Sequence, residues 1–354
     1  MLFRSHLVRN PKWKKSSDSF RTPYPDDIVV RFGLAEDVRD QITLDDSIPN
    51  TVNLDGLTPA NVRAFFANSK NASRGMNVYD PYVRYAAMNV SKGHMDNLTL
   101  RKAVFFAINT LALIDLSGGR EFYGDPGDNP VKPVLGLDYA PTKGNIHDPN
   151  WKITGNPDYA KSLVEGAKAS CPDAYKKATA DGIVWDIAQS ATNQKASQLI
   201  TTALNAAGIQ IKFNFIPSGQ YYSTVMNPAK QNDISSAGWG ADWANASTVL
   251  PELFTQEGGF NLSQNWNDAA YAAFKKLSDA GKNETNRAKQ ASIWKQASQY
   301  VMDQYWIIRP VFGKQQFQWG SKVGGVFYWE PQGDRKSTRL NSSHIPLSRM
   351  PSSA

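Results

Sequence analysis

The chain has 354 residues, with 39 Lys and Arg against 32 Asp and Glu for a net charge of +7, and is 41% hydrophobic and 20% charged. These ordinary globular proportions exclude collagen-like, disordered and coiled-coil classes, and the length suits two domains or one large one. The single cysteine, Cys171, excludes a disulfide framework and a multi-cysteine zinc site.

The N-terminal MLFRSHLVRNPKWKK has no continuous apolar stretch, so it does not read as a secretory signal. Residues 1–88 are expected to be extended and irregular, apart from three elements. Asp26–Phe32 is rich in β-branched residues and predicts a strand. Thr58-Pro59 opens a short helix, with Thr58 at the N-cap, Pro59 in the first turn and Val62, Phe65 and Phe66 as its apolar face. Tyr82–Val90 predicts another strand. Asn97 or Thr99 then caps a long helix with Ala103, Val104, Ala107, Ile108 and Leu111 at helical spacing. The apolar run Ala103–Ile114 is broken by Asn109 and is too short to span a bilayer.

Residues 117–155 are rich in Gly, Pro and Asp and predict loops. Asn156-Pro157 starts a helix buried along Ala160, Leu163, Val164 and Ala167. Residues 182–216 form the clearest unit: strand Ile183–Ile187, helix Lys195–Ala207, a stop at Gly208 and strand Ile209–Ile216. A strand–helix–strand of this length predicts parallel strands with a right-handed crossover, hence an α/β fold. Asp233–Ala237 is a third short strand. Helices follow near 267–280, stopped by Gly281, and near 284–304. Trp306–Phe312 and Gln315–Trp319 close the pattern as strands.

The last segment, 334–354, carries four basic residues (Arg335, Lys336, Arg339, Arg349) and one acidic, Asp334; without it 35 basic against 31 acidic residues leave +4. One reading is a disordered basic tail. A sharper one is that Asp334–His344 and Ser348–Ala354 match the in-frame translation of two parts of a common sequencing-adapter oligonucleotide. The segment is therefore expected to be non-native and is set aside. The basic balance alone would prompt a nucleic-acid or membrane-surface partner; with this segment removed, no nucleic-acid partner is expected.

No phosphate-binding glycine loop, nucleophile elbow or zinc-protease helix motif is present. His6, His94 and His147 lie at no helical metal spacing and are expected to be surface or capping residues. Asp125 and Asp128 lack calcium-loop spacing and are expected in a solvated turn. No metal, no cofactor and no catalytic residue is expected. Trp294, in a helix stripe, is expected in the core. Gly238, Trp239, Gly240, Ala241, Asp242 and Trp243 differ, because they follow a strand end, where ligands dock in α/β sheets. Two glycines would let a ligand approach the backbone, two indoles offer flat walls, and Asp242 offers a negative charge. A glycine-rich turn with buried tryptophans explains the same residues equally well.

The segment Ala237–Trp243 resembles the G-W-x-A-D-[YW] signature of the family 5 extracellular solute-binding proteins, the oligopeptide- and dipeptide-binding components of ABC importers. Other segments are similar to the family in the same order. They are Leu7–Trp13 (an R-N-P turn), Tyr79–Tyr85 with Met88-Asn89, Leu100–Asn109, Gly155–Leu163 and Gly320–Gly325. The resemblance covers residues 7–333. It implies a two-lobed, type II periplasmic-binding-protein fold, here mostly lobe II with a remnant of lobe I. Residues 1–88 would be that remnant, 89–309 lobe II and 310–333 the return crossing, followed by the tail 334–354. Family members carry an export or lipoprotein signal and a large first-lobe portion ahead of the R-N-P turn, so the chain is expected to be a fragment of an extracytoplasmic protein, periplasmic or lipid-anchored.

The resemblance further implies a non-enzymatic binder that closes on a peptide-like solute and hands it to a membrane permease, as a monomer at full length. By the motif, Asp242 would pair with a peptide α-ammonium, Gly238 and Gly240 would bond its backbone, and Trp239 and Trp243 would wall the cleft. Phe312, on the return strand, would join them. Many members follow the motif with Asp-Pro, where this chain has Ala244-Asn245-Ala246, so the neighbouring loop departs from the pattern. Other solutes bound by the family, oligosaccharides and nickel complexes, remain alternatives. A secreted carboxylate glycoside hydrolase built on Asp242, Glu252 and Asp268 is the alternative of another class.

Overall fold

The structure, a computed structural model, describes residues 4–18, 25–92, 95–329 and 334–339. His94 lies outside them, as do residues 340–354. The chain divides into two compact units, one of Met1–Asp80, Glu121–Tyr123 and Lys314–Pro351, the other chiefly of Pro81–Arg120 and Gly124–Gly313.

The first unit begins with an antiparallel pair, β1 (Arg4–Val8) and β2 (Asp27–Arg31), joined at Leu7↔Ile28 and Val8↔Asp27. Residues expected to be irregular then form a helix, α1 (Glu36–Asp45). Its weak amphipathic pattern hid it: only Asp40 and Thr43 are buried on it, and both are polar. After the short β3 (Val52–Asn53) comes α2 (Pro59–Ala67), as predicted, burying Val62 and Phe65. Thr58 holds the N-cap position without capping. Its N–H and hydroxyl both donate to Asp40 Oδ2, at 3.0 and 2.6 Å, tying α2 to α1. The long strand β4 (Gly75–Met88) then runs out of this unit.

In the second unit the single long helix expected after Asn97 is two. Asn97 Oδ1 caps α3 (Leu98–Ala107), and Asn109 Oδ1 caps α4 (Thr110–Leu116) by accepting the N–H of Ala112 at 2.9 Å. Helical spacing alone did not reveal the second cap. The short α5 (Gly119–Phe122) and β5 (Gly124–Pro126) lie in the stretch expected to be loop. α6 (Pro157–Ser170) is capped by Asn156 and followed by α7 (Pro172–Lys176).

β6 (Ile183–Ala188), α8 (Ala191–Ala206) and β7 (Ile211–Ile216) form the expected strand–helix–strand with parallel strands, paired from Ile183↔Ile211 to Ala188↔Ile216. α9 (Tyr221–Val225) leads to β8 (Ile234–Gly240). β8 pairs antiparallel with β4 from Tyr82↔Gly240 to Met88↔Ile234, and parallel with β6 at Ile234 and Ser235. After α10 (Leu250–Phe254), the pair α11 (Tyr271–Asn283) and α12 (Arg287–Asp303) packs on the sheet's core.

β9 (Ile307–Trp319) is one strand where two were expected, and it carries the chain back to the first unit at Gly313/Lys314. Within the second unit the strand order is β9-β4-β8-β6-β7, with β5 on β9. In the first unit β3 pairs with the end of β9 at Val52↔Trp319, and β10 (Gly324–Trp329) pairs with β11 (Asp334–Arg339). β11 falls where no element was expected.

Two apolar clusters flank the second unit's sheet. One centres on Trp185, Phe105 and Phe106, the other on Trp294, Trp306 and Phe254. Trp294 is buried as expected. Gly281, read as a helix stop, instead lies inside α11, where a Cβ would stand 2.5 Å from the Trp294 ring. Arg101 is the buried polar hub of this unit. It donates to the carbonyls of Met95, Asp96 and Gln304 and to Asp268 Oδ2 at 3.1 Å. Burial pushes its pKa down, and the Asp268 carboxylate pulls it back.

Candidate functional site

The signature residues lie at the C-terminal end of β8, in the second unit. The β6 ladder reaches only Ser235, and the Ser236 carbonyl accepts the Tyr221 hydroxyl at 2.6 Å. Beyond that point Ala237–Gly240 pair with β4 on one side and have no ladder on the other among the described residues. A strand with one unladdered edge can accept an added extended segment.

The two glycines do different work. Gly238 has ordinary clearance, its nearest neighbours being Val83 and Arg84 at 3.6 Å and beyond. At Gly240 a Cβ would meet the Tyr82 ring at 3.0 Å, so this glycine makes room for a tyrosine of β4.

Trp239 is half-buried. Its Nε1 donates to the Thr248 carbonyl at 2.8 Å, and its ring packs on Phe260 at 5.2 Å, which in turn packs on Tyr222 at 5.5 Å. Trp243 is 51% exposed, with Nε1 3.1 Å from Ser247 Oγ. That exposure rules out a turn of buried tryptophans for this residue. Asp242 is exposed. Its N–H donates to Thr248 Oγ1 at 3.2 Å, and that hydroxyl lies 3.3 Å from Asp242 Oδ2.

The loop that departs from the family pattern is pinned from several directions. Asn245 Oδ1 accepts the Ser247 N–H at 2.9 Å, and Asn245 Nδ2 donates to Gln290 of α12 at 3.0 Å. The Ala246 N–H donates to Asp138 Oδ2 at 2.8 Å, and Asp138 Oδ1 accepts from Arg287 at 2.6 Å. Asp138 is fully buried, so its charge is held by that guanidinium and that amide.

Phe312 is half-buried on β9, beside β5 at Asp125↔Phe312. Its ring meets Tyr139 edge-on at 6.1 Å and sits over Gly127. Behind it lies a cluster that loop composition concealed. Asp128, expected in a solvated turn, is buried and accepts from the Tyr139 hydroxyl at 3.2 Å, the Thr142 N–H at 3.1 Å and His147 Nε2 at 3.1 Å. Desolvation, and then the Asp128 charge, push the Tyr139 hydroxyl up to about 12. Lys132, also buried, donates to the carbonyls of Gly313 at 2.6 Å and Tyr82 at 3.3 Å.

The carboxylates of the hydrolase alternative are engaged elsewhere. Asp268 Oδ2 takes Arg101 and, at 3.0 Å, Trp306 Nε1, while Glu252 Oε2 accepts the Gly259 N–H at 3.1 Å. Among the described residues no group of three or more His, Cys, Asp and Glu is arranged to hold a metal ion.

The profile of the bacterial extracellular solute-binding proteins, family 5 (middle), matches residues 4–261. The chain belongs to this family. The glutathione-binding protein GsiB of Salmonella paratyphi A is 26% identical over 259 residues, covering 68% of this chain and 45% of the relative. That of Shigella flexneri is 26% identical over 232 residues, covering 60% and 41%. The chain thus spans less than half the length of the curated relatives it matches.

Among solved structures, the periplasmic binding protein DppA of Helicobacter pylori, in complex with peptide STSA, superposes with a TM-score of 0.73 at 18% identity, covering 98% of this chain and 62% of that one. The dipeptide-binding protein of a Pseudoalteromonas species, in complex with Met-Leu, gives 0.72 at 14% identity, covering 96% and 61%. These likenesses establish the type II periplasmic-binding-protein fold. The family is one of extracellular binders rather than enzymes. No helix among the described residues is long and apolar enough to cross a membrane.

Proposed function

We propose that this chain captures a peptide-like solute at the C-terminal end of β8, on the extracytoplasmic side, for delivery to an ABC permease. The observation that carries this is the run Ala237–Gly240, laddered on one side only and ending in the exposed Asp242 and Trp243. An extended peptide would add its backbone along that edge, the Trp239 and Trp243 indoles would pack against its side chains, and Asp242 would take its α-ammonium in a charge-assisted hydrogen bond. Phe312, Gly238 and Gly240 belong to the same proposal, Gly240 by seating Tyr82.

Relatives named for glutathione and dipeptide binding support this solute class over oligosaccharides or nickel complexes. The protein would act as a monomer, in the periplasm or anchored by lipid at the cell surface, and ligand would favour its closed form.

Calorimetry with a tripeptide and its N-acetylated form tests the reading. The free peptide is expected to bind about 10- to 100-fold more tightly than the acetylated one, as a charged hydrogen bond of about 1.5–3 kcal/mol implies. Asp242→Asn is expected to erase the difference. Equal affinity for both peptides in the wild-type chain would remove Asp242 from the site.

A further inference from the structure

The second unit carries a cavity that the candidate site does not use. It lies where the turn after α9 meets the loop Gly258–Trp266, and its volume is about 110 Å³. Met226, Phe260 and Trp266 supply apolar walls, the carboxamides of Gln231, Asn261 and Gln264 supply polar ones, and no charged side chain lines it.

Two of the three carboxamides are spent inside the protein. The Leu262 carbonyl can only accept, so it fixes Gln231 with Nε2 toward it at 2.6 Å, and Nε2 also donates to Ser235 Oγ at 3.1 Å. Gln231 Oε1 then accepts from Asn89 Nδ2 at 3.2 Å and Gln264 Nε2 at 2.6 Å. Asn89 is oriented in turn by the Ser91 N–H, which donates to its Oδ1 at 3.1 Å. Asn261 Nδ2 donates to the Thr255 carbonyl and Asn265 Oδ1, and its Oδ1 accepts the backbone N–H of Gln264.

Gln264 is the end of this relay. Because Gln231 presents an oxygen, Gln264 must turn its NH₂ group to it, and Gln264 Oε1 is left with no hydrogen bond from the described residues. The residue is only 5% exposed, and its φ of 46° puts a non-glycine residue in the left-handed region. A non-glycine residue held in the left-handed region, lining the cavity with an acceptor that no described residue bonds, marks a place where a ligand can add a hydrogen bond.

We propose that this cavity binds a small neutral molecule of the phenol class, one flat ring carrying one hydroxyl. The volume suits a single ring. Phe260 and Trp266 offer ring contacts, and Met226 offers its sulfur. The hydroxyl donates to Gln264 Oε1. An ion would lose its hydration with no charged side chain to meet it, and a sugar would bury several hydroxyls against the walls of Met226, Phe260 and Trp266. Three of the loop's amides are used within it, Gly258 N–H on the Thr255 carbonyl, Phe260 N–H on the Glu252 carbonyl and Gly259 N–H on Glu252 Oε2.

Phenol titrated into the whole chain, with anisole as the probe lacking the donor, tests this by ligand-observed NMR and calorimetry. Saturable phenol binding is expected, with anisole about fivefold weaker, as one neutral hydrogen bond implies. Gln264→Leu is expected to bring phenol down to the level of anisole. Met226→Trp, at a wall residue 47% exposed, is expected to block both probes and leave peptide affinity unchanged, and it carries the test if Gln264→Leu does not fold. Absence of saturable phenol binding, equal binding of phenol and anisole in the wild-type chain, or benzoate binding as tightly as phenol would overturn the proposal.

Discussion

Thr248 holds two signature residues at once, its carbonyl on the Trp239 indole and its hydroxyl on the Asp242 backbone. Thr248→Val keeps the shape and removes the hydroxyl from a fully buried position. Stability is expected to fall by about 1–2 kcal/mol, measured by urea unfolding, because the buried hydroxyl's hydrogen bonds to the Asp242 N–H and Oδ2 are lost. Tyr139 supplies a pH dependence. Its hydroxyl is raised from 10.0 to about 12 in the folded chain, so the unfolded chain ionises first as pH rises. The stability it contributes is therefore complete below pH 10.0 and lost between 10.0 and about 12. Tyr139→Phe is expected to flatten the alkaline fall in melting temperature, and an unchanged slope would show that other tyrosines carry it. At this scale the sequence singled out Asp242 and the two tryptophans as candidates, because motif and strand end coincide there. Thr248, Asp138 and Tyr139 were not legible. Asp138 reaches Ala246 across 108 residues of chain, and no local pattern encodes such a contact.

Among elements, the α11–α12 pair shows what periodicity misreads. A glycine near a helix end suggests a stop, yet Gly281 serves as the socket for the Trp294 ring. Gly281→Ala gains about 1 kcal/mol of helix propensity but puts a methyl 2.5 Å from the indole carbons. Overpacking of about 1–3 kcal/mol is expected to dominate, lowering the urea midpoint; a raised midpoint would mean that Trp294 gives way. The parallel β6–α8–β7 unit was legible because apolar runs, helix stripe and stop signals agree there. α1 was not, since its buried positions are polar, and the α3/α4 break was not, since Asn109 lies within an otherwise apolar run. β8 was found as a short strand. Its value lies in what composition cannot show, that its last residues outrun the neighbour β6.

For the whole molecule, charge was a poor guide and ordered motifs a good one. The +7 pointed toward nucleic acid, whereas segments in family order from residue 7 to 333 pointed to a binding-protein fold, which the matched profile and solved structures then established. Two units with strands β4 and β9 running from one to the other fit that fold. The central claim is that the β8 end accepts an extended peptide. Hydrogen exchange read by mass spectrometry, with and without saturating tripeptide, tests it most directly. Slowed exchange across residues 237–243 on peptide addition is the result expected, because an added strand would occupy the unladdered edge. Saturable peptide binding with exchange in that segment unchanged would contradict it.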